Sequence, residues 1–227
     1  MRLALPSAIT VKIITDAMNA NSNSKAAANN SNGLVTRERI LLEAARLFRH
    51  RGYAATSLRD IADAAGLKAG SIYYHFDSKE QIVNEVLAEG TAILTDTVKA
   101  RIDAVPETAP WRDKIAAGID GHLWAILHHS DFMSANIRIY SQIPPSARSR
   151  HKIGRRAYSD YWDRLLEAAL ASGELRKDTD IAMIRLFVIG ALNWTVEWYN
   201  PQRGSFQDFS RQISAIVFGG ILLENKN

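Results

Sequence analysis

Residues 58–76, LRDIADAAGLKAGSIYYHF, constrain the fold more than any other stretch of this chain. Leu58, Ile61, Ala62 and Ala65 recur at three-and-four spacing, which predicts a short helix starting at Thr56 or Ser57. Gly66 ends it by supplying a positive φ that other residues resist. Leu67 turns the chain into a second segment, residues 69–76, with room for only about two helical turns. A helix that short is marginal alone in water, so its neighbours must hold it. Ala62 is small enough for that second helix to cross closely over the first.

The segment before it, TRERILLEAARLFRHRG, predicts a helix over residues 36–52, with Thr36 as N-cap and Gly52 as the stop. Three helices at 36–52, 57–65 and 69–76 satisfy the geometry of a helix-turn-helix. Leu58, Ile61, Leu67 and Ile72 would plug the core between them, joined by Tyr73 and Phe76. The third helix would then lie in a DNA major groove, which at about 12 Å width admits one. Lys68, Ser71, Tyr74 and His75 are left facing outward, and Gly70 admits a close backbone approach. Ser71 and His75 can hydrogen-bond base edges, while the Tyr73 and Tyr74 hydroxyls can reach phosphates. Thr56, Arg59 and Lys79 stand at helix starts as phosphate clamps. The whole chain carries only +4, so a nucleic-acid surface must be local; residues 36–79 hold eight Lys/Arg against five acids. A small helical hairpin whose aromatics are all core is the plain alternative.

The remainder predicts further helices at 78–105, 111–129, 132–141, 146–172, 179–199 and 206–223, separated by turn chemistry such as IPP and NPQRGS. No segment alternates with period two, so the fold class is all-α. Its domains are a helix-turn-helix unit over 34–80 and a helical ligand-binding and dimerisation bundle over 81–227. Residues 1–33 include ANSNSKAAANNSNG, with no apolar periodicity to bury, and read as a disordered arm. Pro6, Lys12 and Asp16 interrupt the opening apolar residues, against a signal peptide. The absence of cysteine excludes thiolate metal sites and a cysteine nucleophile. No Gly-x-Ser-x-Gly, phosphate loop or His-Glu-x-x-His occurs, so no catalytic residue, metal or cofactor is expected. The expected location is the cytoplasm, with no membrane partner.

In the second domain, Trp124, Tyr158, Trp162 and Trp194 belong to an aromatic set that could line a large apolar pocket, although aromatics at helical spacing commonly pack as core. The run SARSRHKIGRRAYSDYW carries Arg148, Arg150, Lys152, Arg155 and Arg156, with no acid between residues 132 and 159. It is either a solvated face or a site for an anionic ligand. Residues 181–195 and 213–221 are apolar over broad stripes, which fits a dimer interface or a monomer core.

ATSLRDIADAAGLKAGSIYYHFDSKEQIV resembles the DNA-binding signature of the TetR/AcrR family of bacterial regulators, over about residues 36–85. The resemblance implies a homodimeric repressor on double-stranded operator DNA, with a C-terminal domain that senses a small molecule. It places Thr56, Lys68, Ala69, Gly70, Ser71, Tyr73, Tyr74, His75 and Lys79 at DNA-contact positions. GALNWTVEWYNPQRG with RRAYSDYW is similar to regulatory domains that answer to acyl-coenzyme A thioesters in fatty-acid or steroid breakdown. On that resemblance Arg155 or Arg156 would meet coenzyme phosphates, and Trp124, Phe132 and Trp162 would line an acyl tunnel. A hydrophobic drug or a free acid is the competing effector, and a helical interaction module without DNA binding the competing function.

Overall fold

The computed structural model describes residues 25–128 and 130–221. The elements are α1 (Lys25–Arg51), α2 (Leu58–Ala64), a 3-10 helix (Ala69–Tyr74), α3 (Lys79–Asp103), α4 (Trp111–His128), α5 (Ser130–Arg138), α6 (Pro145–Ala171), α7 (Ile181–Trp198), a short 3-10 turn (Pro201–Arg203) and α8 (Phe206–Ile221). No strand occurs among the described residues, as the missing period-two alternation requires.

Two boundaries differ from expectation. Helix α1 begins at Lys25, so Thr36 lies inside it and residues 25–33 of the expected arm are helical. Alanines 26–28 are the best helix formers, and nothing between them and Thr36 is a proline. Residues 1–24 of that arm lie outside the described residues. The second difference concerns packing. The chain forms two compact units, one of the described residues up to Ile93 with Asp131–His151, the other of Leu94–Ser130 with the described residues from Lys152 onward. Residues 131–151, expected in the ligand-binding bundle, thus pack with the reading head.

Specific contacts explain that placement. Gly90 of α3 lets α5 approach so closely that a Cβ there would sit 2.2 Å from Asn136 Nδ2. Arg49 pairs with Asp131 at 2.9 Å, the Ala54 N–H donates to Gln142 Oε1, and the Ser146 hydroxyl donates to Glu80. Phe132, Met133, Ala135, Ile139 and Ile143 are buried, as are Ile40, Ala44 and Phe48 of α1 and Ile82, Val83 and Val86 of α3.

In the second unit α4 is central and packs against α7 and α8. Ile115, Ile119 and Leu123 of α4 join Val98 and Ile102 of α3, Tyr158 and Trp162 of α6, and Val188 and Leu192 of α7 in one core. The Glu174 carboxylate accepts from the backbone N–H of Trp111 and of Arg112, satisfying the start of α4 where an anion is favoured. Arg185 of α7 pairs with Asp163 of α6 at 2.6 Å.

Gly121 is where α4 meets α3 most tightly: a Cβ would lie 2.9 Å from Val98 Cα, and backbone cannot swing aside. Gly121→Ala is expected to cost about 1–3 kcal/mol in urea unfolding, despite alanine's better helix propensity. Gly33→Ala, where nothing lies within 4 Å, gains up to about 1 kcal/mol by the same measurement.

Candidate functional site

The reading head is built on one buried side chain. Ile72 of the 3-10 helix is fully buried, and Phe76 follows it into the core. The expected α-helix over 69–76 is instead 3-10, with the Ser71 N–H bonded to Lys68 O and the His75 N–H to Ile72 O. Three residues per turn put Ile72 inward and turn its neighbour outward. Tyr73 is therefore 59% exposed, not the core residue that α-helical spacing predicts. Tyr74 is 88% exposed; Lys68, Ala69 and Gly70 are exposed, and Ser71 and His75 half-buried. Six residues thus present a continuous polar row: Lys68, Gly70, Ser71, Tyr73, Tyr74 and His75. Gly66 turns the chain ahead of it with φ 68°, and no atom crowds its missing Cβ, so conformation rather than space requires glycine there. Ile61 and Ala62 are buried beneath, whereas Leu58 and Leu67 are half-buried.

The expected clamps hold the head itself. Thr56 is buried, and its hydroxyl donates to Gly52 O at 2.8 Å, so that side chain is not presented to a phosphate. Ser57 is the N-cap of α2: the Asp60 N–H donates to Ser57 Oγ, and the Ser57 N–H donates to Asp60 Oδ2. This capping box went unread because Asp stands where Glu or Gln is usual. The Ser57 hydrogen bonds, with Arg51 and Arg59 adding to them, hold the Asp60 carboxyl below its ordinary range. Arg59 is exposed, 3.9 Å from Asp63. The Lys79 ammonium donates to Tyr53 O at 2.9 Å and Thr56 O at 2.8 Å, over the Tyr53 ring. Burial lowers its pKa. Two of its three donors are occupied, leaving one for a phosphate.

The second unit holds a buried polar cluster. His122 of α4 is enclosed, with Nδ1 2.7 Å from the Tyr158 hydroxyl and Nε2 3.2 Å from Asn193 Oδ1. Because Asn193 Oδ1 only accepts, Nε2 carries the proton and Nδ1 accepts from Tyr158; this tautomer is assigned from the network. Burial pushes the His122 pKa down to about 4, against a smaller upward effect of the Asn193 bond. Burial likewise pushes the Tyr158 hydroxyl far up, partly offset by the nearby Trp162 N–H, which does not reach hydrogen-bond geometry.

Of the residues expected to bind a ligand, only Tyr158 and Trp162 come together, one turn apart on α6 and buried. Arg155 and Arg156 are exposed on the same helix. Trp124 stacks on His128 at 3.7 Å, with the Arg101 guanidinium over its ring and Phe206 edge-on. Trp194 is 61% exposed, and Phe132 is buried in the first unit. His122, in the apolar run IDGHLWAIL, reads from the sequence as a satisfied polar residue, and both its ring nitrogens are paired; its partner Asn193 carries no such signal. Among the described residues no group of His, Cys, Asp and Glu could hold a metal.

Residues 40–86 match the bacterial regulatory proteins of the tetR family, and residues 108–221 match the tetracyclin repressor-like C-terminal domain. The HTH-type transcriptional repressor KstR2 of Mycolicibacterium smegmatis is 32% identical over 195 residues, covering 82% of this chain and 90% of that protein. The chain belongs to the TetR family. It is a DNA-binding regulator, not an enzyme. The structure of the ketosteroid transcriptional regulator KstR2 of Mycobacterium tuberculosis superposes with a TM-score of 0.71 at 30% identity, over 83% of this chain and 95% of that one. AibR in complex with isovaleryl coenzyme A and operator DNA shares the fold, with a TM-score of 0.72 at 20% identity over 81% and 98% of the two chains.

His122 makes stability depend on pH. It binds its proton near pH 4 when folded and near about 6.5 when unfolded, so the unfolded chain holds more protons between those values. Its contribution is complete above about pH 6.5 and falls by about 3 kcal/mol as the pH drops through that window. His122→Gln is expected to flatten this part of the pH profile in chemical unfolding; an unchanged slope excludes His122 as its source.

Proposed function

We propose that this TetR-family chain is a homodimeric cytoplasmic repressor that occupies a pseudo-palindromic operator and leaves it when a small molecule binds the second unit. The observation that carries the DNA reading is the outward row Lys68 to His75 on a 3-10 helix pinned by Ile72. In the groove, Ser71 and His75 face base edges, Gly70 and Ala69 allow backbone or methyl contact, and Lys68, Tyr73 and Tyr74 reach phosphates and sugars. Arg59 flanks them from α2, and Lys79 offers its remaining N–H.

The dimer reading rests on α7 and α8. Met183, Leu186, Phe187, Trp194 and Trp198 on α7, with Ile216 on α8, are large apolar side chains exposed in the single chain. Gly190 and Gly220 have open space around them within the chain, which fits the close approach of a second copy. Two copies joined there would present two heads to half-sites about one DNA turn apart.

For the effector we favour an acyl thioester over a drug or free acid, supported by the AibR complex with isovaleryl coenzyme A and by the cations along α6. Arg155 and Arg156 would meet the coenzyme phosphates, with Tyr158 and Trp162 nearer the acyl group.

Selection of bound duplexes from a random library by the full-length protein tests the reading; it is expected to return inverted half-sites. Tyr74→Ala should weaken binding to the recovered operator at least tenfold without lowering the thermal midpoint, since Tyr74 touches little else. Equal affinity would remove Tyr74 from the interface, and a library that yields no enriched sequence would refute operator recognition. Trp194→Glu is expected to convert the dimer to monomer in sedimentation and to abolish high-affinity operator binding; a Trp194→Glu dimer would place the seam elsewhere.

A further inference from the structure

The division between the two compact units falls inside the basic run SARSRHKIGRRAYSDYW. Arg148 and Arg150 belong with the reading head, whose unit takes in Asp131–His151, whereas Lys152, Arg155 and Arg156 belong to the second unit. The run is therefore two groups of cations, and only the second was drawn on for the effector.

Named contacts fix where the first group stands. Gln142 Oε1 accepts the Ala54 N–H at 3.3 Å, and Gly52 leaves it room: a Cβ there would lie 2.6 Å from the same oxygen. The Ser146 hydroxyl donates to Glu80 at 2.7 Å, so the first turn of α6 meets the first turn of α3. Ile143, Ala147 and His151 are buried, which seats the loop and the start of α6 on the rest of the unit. Ala54 shortly precedes Thr56, and Glu80 directly follows Lys79. Residues 142–146 thus border the edge of the head where Lys79 gathers the carbonyls of Tyr53 and Thr56.

Arg148 is half-buried and Arg150 is exposed. Neither forms an ion pair among the described residues, although Arg37, Arg46 and Arg49 of the same unit each hold an acid. No Asp or Glu occurs between residues 132 and 159, and Glu80, which the start of α6 does touch, is engaged by Ser146. Helical side chains lean toward the N-terminus of their helix, so both guanidinium groups reach back over the first turn of α6, toward the edge that carries Lys79. A polyanion lying along that edge would give each of them the partner that the chain does not, and a guanidinium fork matches a phosphate well.

We propose that Arg148 and Arg150 are a second hold on the operator, outside the helix-turn-helix, each meeting a phosphate of the sugar-phosphate backbone beside the groove that the 3-10 helix enters. The inference rests on the operator reading above and adds contacts that carry no sequence information. Because residues 131–151 pack with the head, the two cations keep their register with the reading row.

The test measures the affinity of the full-length protein for the selected operator duplex, and for a scrambled duplex of equal length, between about 50 and 200 mM KCl. Wild type, Arg148→Gln, Arg150→Gln and the double variant are compared with Lys177→Gln, which removes the same charge from an exposed position of the second unit. Each arginine lost is expected to lower the slope of log affinity against log salt by about 0.9. Both duplexes should be weakened alike, so that their ratio is unchanged. Arg150→Lys should restore most of the slope, since a phosphate accepts a point charge, and a packing role would not be rescued in this way. Wild-type slopes in both single variants overturn the inference. So does an equal fall in Lys177→Gln, which makes the effect one of net charge, or a fall confined to the operator, which places the arginines on bases. Variants that alter only the octanoyl-coenzyme A concentration needed for release assign the cations to the effector and overturn it too. Should Arg148→Gln fold poorly, the exposed Arg150 decides alone. Wild-type protein with no operator preference sinks the repressor reading, whereas preference with unaltered variant slopes sinks only this inference.

Discussion

Burial of Ile72 is the constraint on which the reading head depends. A six-residue 3-10 helix has poor hydrogen-bond geometry and cannot stand alone. It is placed by one buried side chain against α2, where Ile61 and Ala62 are buried too, and by Phe76 following it. Everything else on that helix is thereby released to face outward. Lys79 fixes the far end: its ammonium ties the carbonyls of Tyr53 and Thr56 to the start of α3, so the turn before α2 is held at that helix start. A lysine expected to clamp phosphate does most of its bonding inside the protein.

The all-α class, the helix-turn-helix and nearly every later helix boundary were legible because each rests on local signals: apolar spacing, Gly66, Gly52 and the proline-rich separators. Two kinds of feature were not. Helix type at residues 69–74 depends on how Ile72 is received by α2, and that choice moved Tyr73 from core to surface. Packing of residues 131–151 on the head depends on Gly90 and on three polar links that span 66 to 88 sequence positions, and no periodicity announces such partners. The outward residues of the 3-10 helix were read from a short contiguous motif. The buried cluster joins three helices, and only its α6 members were anticipated.

The two units use polar groups in opposite ways. In the head they face water, where each costs little and is free to exchange water for phosphate or base. In the second unit His122 and Tyr158 are enclosed and Asn193 is half-buried, so the first two must be paired within the network. That network forbids charge: protonating His122 would require breaking its acceptor bond from Tyr158.

The dimer seam proposed on α7 follows from the helix being two-sided. Its 18 residues are long and apolar enough, by length and composition alone, to cross a membrane. A membrane helix is apolar all round, however, and α7 is not. Arg185 pairs with Asp163, Asn193 bonds His122, and Val188, Leu192 and Thr195 are buried against the rest of the unit. One face is therefore committed to this chain's own core through polar as well as apolar contacts. The opposite face exposes Met183, Leu186, Phe187 and Trp194 together, a patch larger than isolated surface apolar residues produce. A surface that is apolar on one side of an already docked helix calls for protein rather than lipid, and a second copy of the same stripe is its simplest complement.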